Sequence, residues 1–144
     1  MKLPQYITAE EVKSVCKKLG IRDWTTLKKH KVMPKEANAI LKELKTGELK
    51  IPLESFLRGL EVELEHGKRF PEANVTNNHP ILTGQIVLAH FKESLDYYQR
   101  LEVSEIEGDL LKAVAAKNAS KVEALYSKLI KAKLALSQAE SDLL

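Results

Sequence analysis

Apolar residues in this chain recur three and four positions apart, and long runs alternating every second residue are absent. That restricts the fold to helices packed on helices. Val12, Val15, Cys16 and Leu19 share one helical face, as do Ala37, Ile40, Leu41 and Leu44, and then Leu53, Phe56, Leu57, Leu60 and Leu64. Punctuation fits the same reading. Thr8-Ala9-Glu10-Glu11 is a capping box, with a hydroxyl at the cap and a carboxylate three residues on. Pro34 and Pro52 suit first turns, and Gly20, Gly47 and Gly67 are read as helix stops. Between the first two helices, Trp24 and Leu27 centre a short turn, and Trp24 is expected to anchor the core.

Further along, residues 68–80 hold two prolines and three asparagines and read as a loop. The stretch from Ile81 to Leu101 is apolar on two faces, one carrying Ile86, Ala89, Tyr97 and Leu101, the other Val87, Phe91, Leu95 and Tyr98. A helix covered on both sides is expected, continuing through Val103, Ile106 and Leu110 to about Lys117. Ser120 and Glu123 suggest a second capping box. After it, Val122, Leu129, Leu136 and Leu143 repeat every seven residues, with Leu125, Ala132 and Ala139 three residues on. Such a seam packs on one partner helix, most simply the preceding segment, giving an antiparallel hairpin. The expectation is an all-α protein: a compact helical bundle with a C-terminal antiparallel helical hairpin, a single domain over residues 1–144. A partner for the seam from another subunit is the alternative.

At 144 residues, with 44% hydrophobic and 30% charged residues, the chain can bury a core without a disulfide or structural metal. The single cysteine, Cys16, lies in a helical stripe and reads as a small core residue, which fits a reducing compartment. No stretch approaches the ~18 apolar residues of a membrane span, and residues 1–7 lack the apolar run of a signal peptide. A cytoplasmic, non-membrane protein is expected.

The net charge of +3 conceals a pattern. Lys and Arg outnumber Asp and Glu by twelve to six over residues 1–50, are outnumbered eleven to five over 51–110, and lead by six to three over 111–144. Lys28, Lys29, His30, Lys31 and Lys35 gather near Trp24, as in a small nucleic-acid face. The following helix, however, mixes Lys35, Lys42 and Lys45 with Glu36 and Glu43 on its outer side. A nucleic-acid partner is therefore not the favoured reading.

Chemistry concentrates in two clusters, Glu61-Val62-Glu63-Leu64-Glu65-His66-Gly67 and His90-Phe91-Lys92-Glu93. Glu63 and His66 are three apart on one helix, and so are His90 and Glu93 on another. Buried carboxylates and imidazoles must pair or bind metal. Helical bundles build metal centres from Glu-x-x-His pairs on facing helices. Glu63, His66, His90 and Glu93 are thus candidate ligands for a transition metal such as iron, zinc or manganese. Against this, the second pair runs His-x-x-Glu, and bridging carboxylates are not clearly placed, Glu102 and Glu105 being the candidates. A buried polar network with the asparagine loop is the structural alternative. No glycine-rich phosphate loop, Gly-x-Ser-x-Gly or His-Glu-x-x-His occurs. Whether the chain is an enzyme is left open, and no catalytic residue is assigned.

These same residues carry a resemblance. Val62-Glu63-Leu64-Glu65-His66-Gly67, Asn74-Val75-Thr76-Asn77, Thr83-Gly84, and Ala89-His90 with Glu93 and Asp96-Tyr97-Tyr98 resemble a family of unknown function found in bacterial and phage proteins. The resemblance covers about residues 51–105, between the basic part at 1–50 and a hairpin at 106–144. It implies that the Glu/His clusters and the asparagine loop form one unit. Where that family commonly has Asp after the Asn-Val-Thr-Asn stretch, this chain has Asn78-His79. The functional expectation is a non-enzymatic protein-binding or assembly module, with a protein partner or a homo-oligomer, and a metal-binding protein or enzyme as the alternative.

Overall fold

The computed structural model describes residues 7–144, all helices and connections with no strand among them. The reading of residues 1–7 as lacking a leader falls almost wholly outside the described residues. The helices are α1 (Ala9–Leu19), α2 (Pro34–Glu43), α3 (Leu53–Arg69), α4 (Pro80–Glu93), α5 (Tyr97–Ala115) and α6 (Ala119–Asp142). Short 3-10 turns span Trp24–Thr26 and Pro71–Ala73. The chain divides into two compact units, one ending at Lys92 and one running over Glu93–Leu144.

In the first unit, local signals set the helix starts. Thr8 caps α1, its hydroxyl accepting from the Glu11 N–H at 3.2 Å, and Gly20 ends it in the left-handed conformation at φ 64°. Val12, Cys16, Trp24, Ile40, Phe56 and Val87 are almost wholly buried and mark the core. The Trp24 N–H donates to Cys16 Sγ at 3.5 Å, and burial pushes that thiol's pKa up, as suits an inert core position.

Two stops differ from the sequence expectation. α2 ends at Glu43, not at Gly47, because Leu44 turns to extended backbone and is buried there. α3 runs past Gly67 to Arg69. Gly67 serves a contact instead: a Cβ there would lie 2.4 Å from Asn78 Oδ1 and 2.9 Å from Asn74 Nδ2. The missing side chain lets the asparagine loop lie on the helix.

Glu36 also differs. It is read from sequence as part of a mixed outer face, yet it is fully buried. Its carboxylate accepts from Arg22 Nε at 2.8 Å, Arg22 Nη2 at 2.7 Å, and the backbone N–H groups of Arg22 at 3.1 Å and Met33 at 2.9 Å. Four donors replace the water it loses.

The second unit is the expected hairpin. Val103, Leu129 and Ala132 form its buried centre, with Ile106, Leu110 and Leu136 packed on it. The seven-residue seam therefore finds its partner in α5. Lys133 meets Glu107 at 2.9 Å and Arg100 meets Glu140 at 2.7 Å, which sets the two helices antiparallel. The expected continuous helix over residues 81–117 is interrupted at 94–96. Ser94 Oγ donates to the Asp96 carboxylate, and Asp96, 1% exposed, is also held by Arg100 at 2.7 Å. Ser94 and Arg100 thus satisfy the buried Asp96 carboxylate at a break that apolar periodicity alone does not predict.

Candidate functional site

The acidic stretch of α3 distributes its carboxylates among separate partners. Glu61 accepts from Lys31 Nζ at 2.9 Å and from the Val32 N–H at 3.1 Å. Glu63 Oε1 lies 3.6 Å from His90 Nε2, joining α3 to α4. Glu65 lies 3.7 Å from His30 Nε2. Successive glutamates two apart face different sides of a helix, so one stretch reaches both the connector before α2 and the neighbouring α4. Two members of the basic cluster near Trp24, His30 and Lys31, thereby meet carboxylates.

Of the four sequence-derived ligand candidates, Glu63 and His90 are brought together. Both are partly buried, at 14% and 27% side-chain exposure. His66 lies one turn beyond Glu63 on α3, half-buried, and Glu93 is exposed at the end of α4. Among the described residues, no group of three or more His, Cys, Asp and Glu side chains is placed to hold a metal ion.

Glu63 and His66 instead line a cavity of about 140 Å³ with Gly67, Asn74, Thr76 and Ile86. The asparagine loop forms its other side. Asn74 Nδ2 donates to the Gly67 carbonyl at 3.1 Å and to Asn78 Oδ1 at 2.9 Å, and Thr76 Oγ1 donates to Asn74 Oδ1 at 3.2 Å. Asn77 and Asn78 hold left-handed backbone, φ 48° and 57°, which asparagine tolerates better than most residues. Asn77 Nδ2 donates to the Ile7 carbonyl at 3.2 Å. The Glu-His-Gly and Asn-Val-Thr-Asn motifs are thus one hydrogen-bonded unit.

His79 completes the loop. Its Nδ1 accepts from the Leu82 N–H at 3.3 Å, capping α4. Burial lowers the imidazole's pKa, against the pull of Glu11. The ring does there what an Asp or Asn oxygen does at other helix starts.

The hairpin presents a different surface. Besides the seam, α6 carries Tyr126, Ile130 and Leu134 at intervals of four, 57%, 54% and 72% exposed. Leu111 and Val114 of α5 are exposed as well. Near the turn, Val114, Lys117, Ala119, Val122, Glu123 and Tyr126 line an open groove of about 540 Å³. The heptad reading does not include this row. Its signal is present in the sequence as a second apolar line on α6, offset from the seam.

A family model described as a protein of unknown function, DUF5661, matches residues 12–107. The match takes in the acidic stretch, the asparagine loop and the α4 histidine, and stops within α5. No curated protein and no solved structure matches the chain.

Proposed function

The chain belongs to the DUF5661 family of proteins of unknown function, and we propose that it is a non-enzymatic protein-binding module working through the outer face of the α5–α6 hairpin. One observation carries this reading. Of the ten large apolar side chains exposed among the described residues, seven lie in the second unit: Leu111, Val114, Tyr126, Ile130, Leu134, Leu143 and Leu144. Scattered exposed apolar residues need no explanation, but a contiguous row beside a groove marks an interaction surface. The middle of the seam, Leu129, Ala132 and Leu136, is not available, being packed on α5. α6 lies outside the span matched by the family model, so the surface belongs to this chain and not to the family description.

A photo-crosslinking residue installed at Ile130, in the organism that carries the gene, tests this. A discrete adduct is expected at Ile130 and none at Lys13, an exposed position on α1. Absence of any adduct at Ile130, Tyr126 and Leu134 ends the reading.

The metal-binding alternative has its support in the approach of His90 to Glu63. Glu63, His66, His90 and Glu93 would be its ligands, and zinc, iron or manganese its metal. Elemental analysis of untagged protein separates the two readings. Stoichiometric metal that is lost in His90→Ala replaces the binding-module reading; metal-free protein retires the alternative.

A further inference from the structure

We infer that the cavity between α3, the asparagine loop and α4 is a binding site for a small organic ammonium compound with a compact apolar body. The site lies within the first unit and apart from the hairpin face, so it goes beyond the binding-module reading, and either can fail without the other.

One observation is a buried hydroxyl without a partner. Thr83 lines the cavity and is 2% exposed, yet its Oγ1 makes no hydrogen bond. Folding normally pairs a buried hydroxyl, because the water it gives up must be replaced. On a cavity wall, the group that replaces it can come from a ligand.

The hydrogen-bond balance of the wall selects the chemistry. Both Nδ2 protons of Asn74 are spent, on the Gly67 carbonyl and on Asn78 Oδ1, and the Thr76 hydroxyl proton goes to Asn74 Oδ1. What Asn74 and Thr76 have left is oxygen lone pairs. The Glu63 carboxylate, with about four lone-pair sites, can accept from a ligand besides its approach to His90. No lysine or arginine lines the cavity, and His66 is its one basic side chain. An anion finds no fixed positive charge there. An ammonium group, all donor and no acceptor, is the complement of such a wall. Among the described residues no three metal-ligating side chains converge, which favours an organic cation over a metal ion.

Size and burial select the body. A volume of about 140 Å³ is close to that of an apolar cavity that takes up benzene, so an apolar group of about six carbons fits. Ile86, Ala73, Phe70 and Val75 supply its apolar wall, and Phe70 and Val75 are exposed where Thr83 and Glu63 are not. The acceptors therefore lie at the inner end and apolar side chains at the mouth. The ammonium group enters first, and the hydrocarbon body closes behind it.

Three probes with one body and different head groups test this: cyclohexylammonium, cyclohexanol and cyclohexanecarboxylate. Each is titrated into the full chain with EDTA present, so that no metal competes at Glu63 and His66, and amide shifts are followed in proton–nitrogen correlation spectra. Cyclohexylammonium is expected to bind saturably, at least about tenfold tighter than the other two. Its largest shifts are expected at Gly67, Asn74 and Ile86. Thr83→Val removes the hydroxyl at nearly constant volume and is expected to weaken binding at least about threefold. The urea midpoint of that variant should hold or rise, since an unpartnered hydroxyl contributes nothing to the free fold. Glu63→Gln is expected to reduce the preference for cyclohexylammonium over cyclohexanol at least about fivefold.

No saturable binding of cyclohexylammonium, equal binding of the three probes, or shifts centred on the α5–α6 hairpin overturns the inference. So does a lowered urea midpoint in Thr83→Val, which would show that the hydroxyl serves the fold. If Glu63→Gln fails to fold, Thr83→Val decides alone: unchanged affinity in it removes the site.

Discussion

Glu36 shows how much a single buried charge organises. Burial alone pushes its carboxyl pKa up, but hydrogen bonds from Arg22 and the Met33 N–H hold it below the usual range. A glutamine has one acceptor oxygen and would turn its NH₂ toward donors. Glu36→Gln is therefore expected to cost about 2–4 kcal/mol, read from the urea midpoint at pH 7. The wild-type carboxylate contributes stability above its ordinary pKa, near 4.5, and loses it as pH falls below that. The variant's acid limb should be shallower. His79 adds a second window. Its lowered pKa means the unfolded chain takes up protons first, so stability drops as pH falls from about 6.5. His79→Asn keeps an acceptor for the Leu82 N–H and should flatten the urea midpoint between pH 7.5 and 5.5; a slope equal to wild type would contradict this role.

At the scale of elements, the helices are bounded by caps, and the α5–α6 turn takes three residues. Lys117 sits at φ 52°, and the Asn118 N–H reaches back to the Ala113 carbonyl at 3.0 Å, a Schellman closure. Asn118 then caps α6, its Oδ1 accepting from the Lys121 N–H at 3.0 Å. The cap expected at Ser120 lies two residues earlier, because the left-handed Lys117 delivers Asn118 to that position. Glycine is the usual residue there. Lys117→Gly should stabilise the chain by about 0.5–1 kcal/mol, seen as a higher urea midpoint. A lower midpoint would mean the lysine makes a stabilising contact that outweighs its backbone cost. Gly84 works by close approach: a Cβ would meet Ile40 Cγ2 at 2.8 Å and Leu44 Cδ1 at 3.1 Å, which lets α4 lie near α2.

For the whole molecule, the division into two compact units places different physics in each. The first has a core of large side chains, Trp24 and Phe56 among them, with buried carboxylate Glu36 inside it. The hairpin has a narrow centre of Val103, Leu129 and Ala132, so α5 depends on α6. A lone helix of 19 residues is marginal in water. Truncation after Asn118 should therefore remove more helical signal in circular dichroism than α6 itself accounts for. A loss limited to the deleted residues would show α5 standing without its partner. No helix among the described residues is long and apolar enough to cross a membrane.

The sequence by itself determined the all-helical class, the starts of α1 to α3, and the hairpin with its seven-residue seam. All of these are written in spacing and caps within a few residues of one another. It also brought out the acidic stretch and the asparagine loop as special, without their pairing. Tertiary structure decided which polar groups go inside. Glu36 is buried because Arg22, 14 positions away, supplies donors, and Glu61 is tied to Lys31 across 30. It likewise decided the break at Asp96 and the row of Tyr126, Ile130 and Leu134 left outside the hairpin's seam. Periodicity reports that a residue is apolar or charged. Only the donors and surfaces brought near by folding determine whether it is covered.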